Sequence, residues 1–304
     1  MNGKISNYME VASIRRYEFT AGREKGIEVL DCDNGRIRFL LNISKACDMM
    51  QLYHEGQNVS FISKNGFSAK GAEVPFGKRF EGGMIYTCGI DSLGKREGFE
   101  MHGTLHNISA EIVEASCDDD GIAVEAVIRD TALFDRDILL RRRITSPIGA
   151  SFVKVEDTLY NEGNCDIDYG LLYHVNIGYP MLDEGARIEA DVISCEARTE
   201  WTQKHLDAMH QIIAPVPNMP ELCFYPTLAK PEISLVNEKL GKRLTVSYSG
   251  DTLTDLVLWK SMGSGGYALG FEPSTSTLGE GFEYKVLRSK ESVCFEVKIS
   301  VDHR

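Results

Sequence analysis

Glu272 sits inside an apolar run, Tyr267-Ala-Leu-Gly-Phe-Glu-Pro-Ser274, directly before Pro273, which drives the preceding residue out of helix. A carboxyl in such surroundings is either paired or titrates upward through desolvation. A raised carboxyl is what a general base working near neutral pH requires; a salt-bridged strand-end Glu is the plainer alternative. A second candidate lies in Tyr169-Gly-Leu-Leu-Tyr-His-Val-Asn-Ile-Gly-Tyr-Pro180, where His174 and Asn176, two apart, share one face of a strand. Tyr169, Tyr173 and Tyr179 suit a site that packs on the apolar face of a sugar ring while polar groups take its hydroxyls. An aromatic core holding one buried His fits the same segment.

His102 and His106, in Gly98-Phe-Glu-Met-His-Gly-Thr-Leu-His-Asn107, are four apart. On a helix they could flank a metal. Gly103 favours an extended or loop course instead, which sets them about 13 Å apart, too far for one ion. Each then reads as a single imidazole, as readily structural as functional. Lys78-Arg-Phe-Glu-Gly-Gly-Met-Ile-Tyr-Thr-Cys-Gly-Ile-Asp91 carries a Gly-Gly step inside an apolar run, the sign of a bulge or of backbone that a ligand approaches closely. Arg79 in that segment offers a guanidinium able to grip several hydroxyl oxygens at once. Trp259 and Lys260 end the run Asp255-Leu-Val-Leu-Trp-Lys260 and are further candidates for ring contact; Arg79 and Lys260 would also suit an anionic or carboxylated ring.

The elements that must position these groups read as strands. Period-2 alternation runs through residues 122–129, 138–145, 151–160, 243–248, 255–260 and 293–301. Asp118-Asp-Asp-Gly121, Ser146-Pro-Ile-Gly149 and Gly250-Asp251 punctuate them as turns. Asn34-Gly35 before Arg36-Ile-Arg-Phe-Leu-Leu marks a hairpin. Only Glu200–Met209 offers a short, poorly amphipathic helix, and no 3.6-period helices alternate with strands, so a doubly wound sheet or an α/β barrel fails. No linker or compositional break interrupts the chain, and no period of 40–50 residues recurs. The reading is all-β: one domain over residues 1–304, a large antiparallel two-sheet β-sandwich.

Composition narrows the functions. The 304 residues hold 33 Lys+Arg against 45 Asp+Glu, a net charge of −12, which argues against a nucleic-acid or anionic-membrane partner. No apolar stretch reaches the length of a spanning helix. The N-terminal Met1-Asn-Gly-Lys-Ile-Ser-Asn7 lacks the apolar core of a secretory signal, so a cytoplasmic location is expected. Eight cysteines without a C-x-x-C pair read as buried free thiols, not disulfides or a zinc site. Edge-strand pairing leaves no mark in the sequence from which to set an oligomeric state.

In this order, His102-Gly103, Asn161-Glu162-Gly163 followed by Tyr173-His174, and Gly270-Phe271-Glu272-Pro273 resemble the galactose mutarotase-like (aldose 1-epimerase-like) superfamily, over roughly residues 20–300. The resemblance implies a β-supersandwich with a small-molecule sugar bound in an open cleft across one sheet, and acid–base chemistry without metal or cofactor. It implies Glu272 as the base that removes the anomeric hydroxyl proton, His174 as the acid that protonates the ring oxygen, and His102 as the group that positions the ring. Arg79 would bind hydroxyls. The family's sugar-clamping Asp has no clear equivalent; Glu221, in Pro220-Glu221-Leu222, stands nearest its place. The Gly82-Gly83 segment also departs from the family pattern.

The expected function is therefore interconversion of sugar anomers. Two alternatives share the same residues: a carbohydrate-binding protein without turnover, and a metal-assisted sugar epimerase or isomerase using His102, His106, His174 and a carboxylate.

Overall fold

Val153, Val155, Asp157, Leu159 and Asn161 alternate with more exposed neighbours and form a strand with one fully buried face. The same parity builds most of the protein. The computed structural model describes residues 3–71, 73–278 and 283–304.

A five-stranded sheet comes first: β1 (Ser13–Glu18), β2 (Glu28–Asp33), β3 (Ile37–Asn42), β4 (Asp48–His54) and β5 (Gln57–Asn58), paired in that order. Asn34-Gly35 lies between β2 and β3, as its turn chemistry requires. A short helix α1 (Phe76–Arg79) follows, then β6 (Ile85–Ile90), β7 (Glu111–Asp118), β8 (Gly121–Thr131), β9 (Asp137–Ser146) and β10 (Phe152–Asn161). Next come β11 (Ile167–Ile177), β12 (Arg187–Ala197), α2 (Glu200–Gln203), β13 (Leu222–Asn237) and β14 (Lys242–Tyr248). The chain finishes with β15 (Asp255–Ser261), β16 (Ala268–Ser274), β17 (Lys285–Leu287) and β18 (Ser292–His303).

The second sheet runs β17-β11-β16-β15-β13-β14-β18-β10-β9-β8-β7, with β12 beside β13 and β6 beside β11. It curls into both layers of a sandwich. The hydroxyl of Tyr173 on β11 donates to Asp157 Oδ2 on β10 at 2.7 Å, although five strands separate β11 from β10 in the sheet order. One apolar cluster from Leu30 to Val301 fills the space between the layers, each buried aliphatic or aromatic side chain worth about 1.5–3 kcal/mol. This is the antiparallel sandwich expected from the alternation.

Arg142 crosses that core fully buried. It donates to Asp157 Oδ2 at 2.7 Å and Thr87 Oγ1 at 2.9 Å, and also binds Asp48. Asp48 in turn accepts from Thr87 N at 2.7 Å and lies 2.6 Å from His106 Nδ1. Removing one member of such a set would cost about 3–5 kcal/mol, because the opposite charge stays buried.

Two local expectations are corrected. Of the extended or loop course expected for residues 98–107, the loop holds and the extended form does not: His102 takes a left-handed φ of 65° and Leu105–Asn107 form a 3-10 turn, so the 13 Å spacing of a strand does not apply. The helix over 200–209 breaks into α2 and a 3-10 turn, Leu206–Ala208. Gly82 and Gly83 both take positive φ; a Cβ on Gly82 would stand 2.6 Å from the Phe61 carbonyl, so the close approach there is by backbone. Among the described residues no helix is long and apolar enough to cross a membrane.

Candidate active site

Strand parity divides β11, β15 and β16 between two environments. Tyr173 and Val175, Leu256 and Leu258, and Leu269 and Phe271 face the main core. Leu172, His174, Val257, Trp259 and Glu272 face the other way, where a cavity of ≈ 260 Å³ opens. The β11–β16 register, with Val175 opposite Phe271 and Asn176 opposite Gly270, sets His174 across from Glu272.

His174 Nε2 stands 3.2 Å from Glu272 Oε1, both side chains nearly inaccessible. Gly270 makes the room: a Cβ there would lie 2.5 Å from Glu272 Oε1 and 3.3 Å from His174 Cε1. His102 completes the group, its ring centroid 5.9 Å from that of His174. Its neighbour Gly103 has φ +74° and packs so tightly that a Cβ would meet the Gly89 carbonyl oxygen at 2.1 Å, which docks the His102 turn against β6. His102 Nδ1 lies 2.6 Å from the Leu93 carbonyl, an acceptor, so that nitrogen carries the proton and Nε2 is the free acceptor.

Burial sets the protonation states. It lowers the pKa of His102 to about 4 and that of His174 well below the usual imidazole range, with His102 adding to the second shift. It raises Glu272 well above the usual carboxylate range, while Arg198 pulls the other way. Burial thus favours His174 without and Glu272 with its proton, so that one proton lies between them, which supplies an acid and a base at the same place.

The lining combines apolar Phe61, Phe76 and Phe80 with polar His102, His174, Arg198, Glu221 and Glu272. Trp259 lines the cavity with its ring 5.4 Å from that of His174, and its Nε1 donates to Glu221 Oε2 at 2.8 Å. Glu221 and Trp259 are thus both brought to the candidate site.

Three expected contacts are not. Lys260 follows Trp259 on β15 and faces the opposite side, its ammonium donating to the carbonyls of Ala208 at 2.6 Å, Met209 at 3.3 Å and Gln211 at 2.7 Å. Burial lowers its pKa to about 8. Arg79 is buried outside the cavity wall, its guanidinium bound to the Val74 carbonyl at 3.0 Å, Tyr86 Oη at 2.9 Å and Asn107 Oδ1 at 3.2 Å, and also to Glu100. Asn176 lies on the His174 face but is fully buried beyond the cavity, its Nδ2 donating to the His174 carbonyl at 2.8 Å. His106 is also outside, stacked on Tyr86 at 3.7 Å and engaged by Asp48. Among the described residues the donors of His102, His106 and His174 do not gather into a metal-sized group.

Arg198 is the cavity cation that the sequence did not reveal. It follows the last residue of β12 and precedes Thr199, whose side chain caps α2. A single Arg between a strand end and a Thr-capped turn carries no sequence signal of its own.

Comparison with known proteins places this geometry. No curated protein matches the sequence. A candidate aldose 1-epimerase from Klebsiella pneumoniae subsp. pneumoniae superposes with a TM-score of 0.87 at 19% identity, over 96% of this chain and 84% of that one. A galactose mutarotase-like protein from Clostridium acetobutylicum gives 0.73 at 14% identity, over 97% and 100%. A galactose mutarotase related enzyme from Lactobacillus acidophilus gives 0.61 at 10%, over 95% and 97%. At these identities the likeness establishes the fold. The chain has the galactose mutarotase-like fold and, with residues 24–293 matched by the model of the Domain of unknown function DUF4432, it belongs to that family.

Proposed function

We propose that the cavity binds a cyclic aldose, or a carboxylated relative, and interconverts its anomers by acid–base ring opening carried by side chains alone. The observation that carries this reading is the His174–Glu272 contact of 3.2 Å at the wall of an open cavity, with His102 beside it.

Proton transfer across that contact gives imidazolium and carboxylate. The Glu272 carboxylate takes the proton from the anomeric hydroxyl and the C1 carbonyl forms. The bond from C1 to the ring oxygen breaks, and that oxygen takes its proton from His174. Rotation about C1–C2 and the reverse steps deliver the other anomer, with both groups restored. His102, neutral and with Nε2 unprotonated, accepts a hydrogen bond from the ring's hydroxyls. Trp259, held by Glu221, offers a flat face to the ring's C–H groups, and Arg198, in the cavity wall, binds a hydroxyl or carboxylate of the ring and steadies the Glu272 carboxylate as it forms. Each positioned acid or base is worth about 10²–10⁴-fold.

The test is exchange NMR of the purified protein against a panel of aldoses and uronic acids. Accelerated α/β exchange for at least one sugar is expected. Saturable sugar binding with no acceleration would replace the enzyme reading by that of a sugar-binding protein.

A further inference from the structure

The β4–β5 turn brings a second constellation to the rim of the sandwich, sharing no residue with the cavity. His54 ends β4, Glu55 and Gly56 form a two-residue turn with positive φ at both positions (53° and 79°), and Gln57 pairs back with His54. The turn meets the end of β18, where His303 pairs with Lys242 of β14. His303 Nε2 lies 2.9 Å from Glu55 Oε1, and His54 Nδ1 lies 3.9 Å from Glu55 Oε2. The two imidazole centroids are 5.5 Å apart. One donor atom from each of the three residues falls within 4.8 Å of the others.

His54 is the informative member. It is completely buried, yet neither ring nitrogen has a hydrogen-bond partner. A buried imidazole left this way loses water without compensation. Its Nδ1 faces Glu55, so a group seated between them would satisfy it.

We propose that His54, Glu55 and His303 form a binding site for a late first-row divalent metal ion of the Zn²⁺ class. Two imidazoles and one carboxylate suit such an ion at about 2.0–2.2 Å per bond, with water completing the shell. A hard ion such as Ca²⁺ or Mg²⁺ is poorly served, because it requires mostly oxygen donors. The donors must draw together for that geometry, and exposed Glu55 and His303 are free to turn. Lys242 Nζ, 3.3 Å from both the His54 carbonyl and Gln57 Oε1, and Arg36 Nε, 3.9 Å from Glu55 Oε1, add positive charge that weakens the site. The ion would clamp the hairpin of the five-stranded sheet to the last strand of the other sheet, a structural role apart from the sugar chemistry.

The test uses the full chain stripped of metal, with Zn²⁺ titrated against a chromophoric chelator and Co²⁺ as a spectroscopic probe. One equivalent of Zn²⁺ is expected, with imidazole ligation in the Co²⁺ spectrum and a Tm that rises with Zn²⁺. His303→Ala and Glu55→Gln are used because His54 is buried and its replacement would disturb folding. Each should lower Zn²⁺ affinity by about tenfold or more and remove the Tm rise, with an unchanged circular dichroism spectrum. Absence of saturable binding would overturn the proposal. So would equal affinity in wild type and both variants, which would place the metal on thiols such as Cys165 or Cys294, exposed where the sequence predicts burial.

Discussion

His174 Nε2 and Glu272 Oε1 stand 3.2 Å apart across the β11–β16 ladder, and burial pushes their pKa values in opposite directions. The pair gains a second proton only below the usual imidazole range and loses its last only above the usual carboxylate range. The proposed chemistry needs the singly protonated pair. The pH profile of kcat/KM should therefore be bell-shaped, with its acidic limb below the usual imidazole range and its basic limb above the usual carboxylate range. A profile with a limb at an unperturbed carboxylate or imidazole value would contradict the assignment.

Arg198 lines the cavity and draws the Glu272 pKa down. Arg198→Ala should raise KM by about tenfold to a hundredfold, the worth of a hydrogen bond to a charged group, with a smaller change in kcat. The basic limb of the profile should move upward, since the opposing cation is gone. Steady-state kinetics across pH checks both.

Lys260 provides the control. Its ammonium is bound to three backbone carbonyls on the far side of β15. Lys260→Met should leave KM unchanged and cost about 1–3 kcal/mol in chemical denaturation, because those acceptors lose their donor. A KM effect like that of Arg198→Ala would place Lys260 at the ring after all.

His102 links the candidate site to stability. Burial lowers its pKa from 6.5 to about 4, so between those values the unfolded chain binds a proton that the folded chain does not. Its contribution is complete above pH 6.5 and lost progressively as pH falls towards 4, about 3 kcal/mol in all. His102→Asn, which can still donate to the Leu93 carbonyl, should flatten that part of the stability–pH curve. Parallel curves for wild type and variant from denaturant titrations would refute it.

The fold was legible where alternation was strict. Residues 151–160 read as a strand from their alternation, and Phe152–Asn161 form one with a single fully buried face; the same parity rule could have set Lys260 apart from its neighbour Trp259. Arg79 misled because a guanidinium beside an aromatic looks the same whether it meets a ligand or is saturated internally by Tyr86, Asn107 and Glu100. His102 and His106 were separated by a left-handed turn at residues 102 and 103 that only tertiary packing against Gly89 explains. Arg198 was invisible because the cavity lining draws on segments distant in sequence, and an Arg just past a strand end marks none of them. We also read residues 1–304 as one domain, a proposal supported by the large apolar cluster from Leu30 to Val301, which draws side chains from both sheets.

The most direct measurement is α/β exchange by NMR with Glu272→Gln, an isosteric change that removes the carboxylate while keeping the side-chain volume beside Gly270. The account predicts that the variant folds and still binds the sugar, and that exchange falls to the uncatalysed rate. Exchange at the wild-type rate in the folded variant would contradict the central claim.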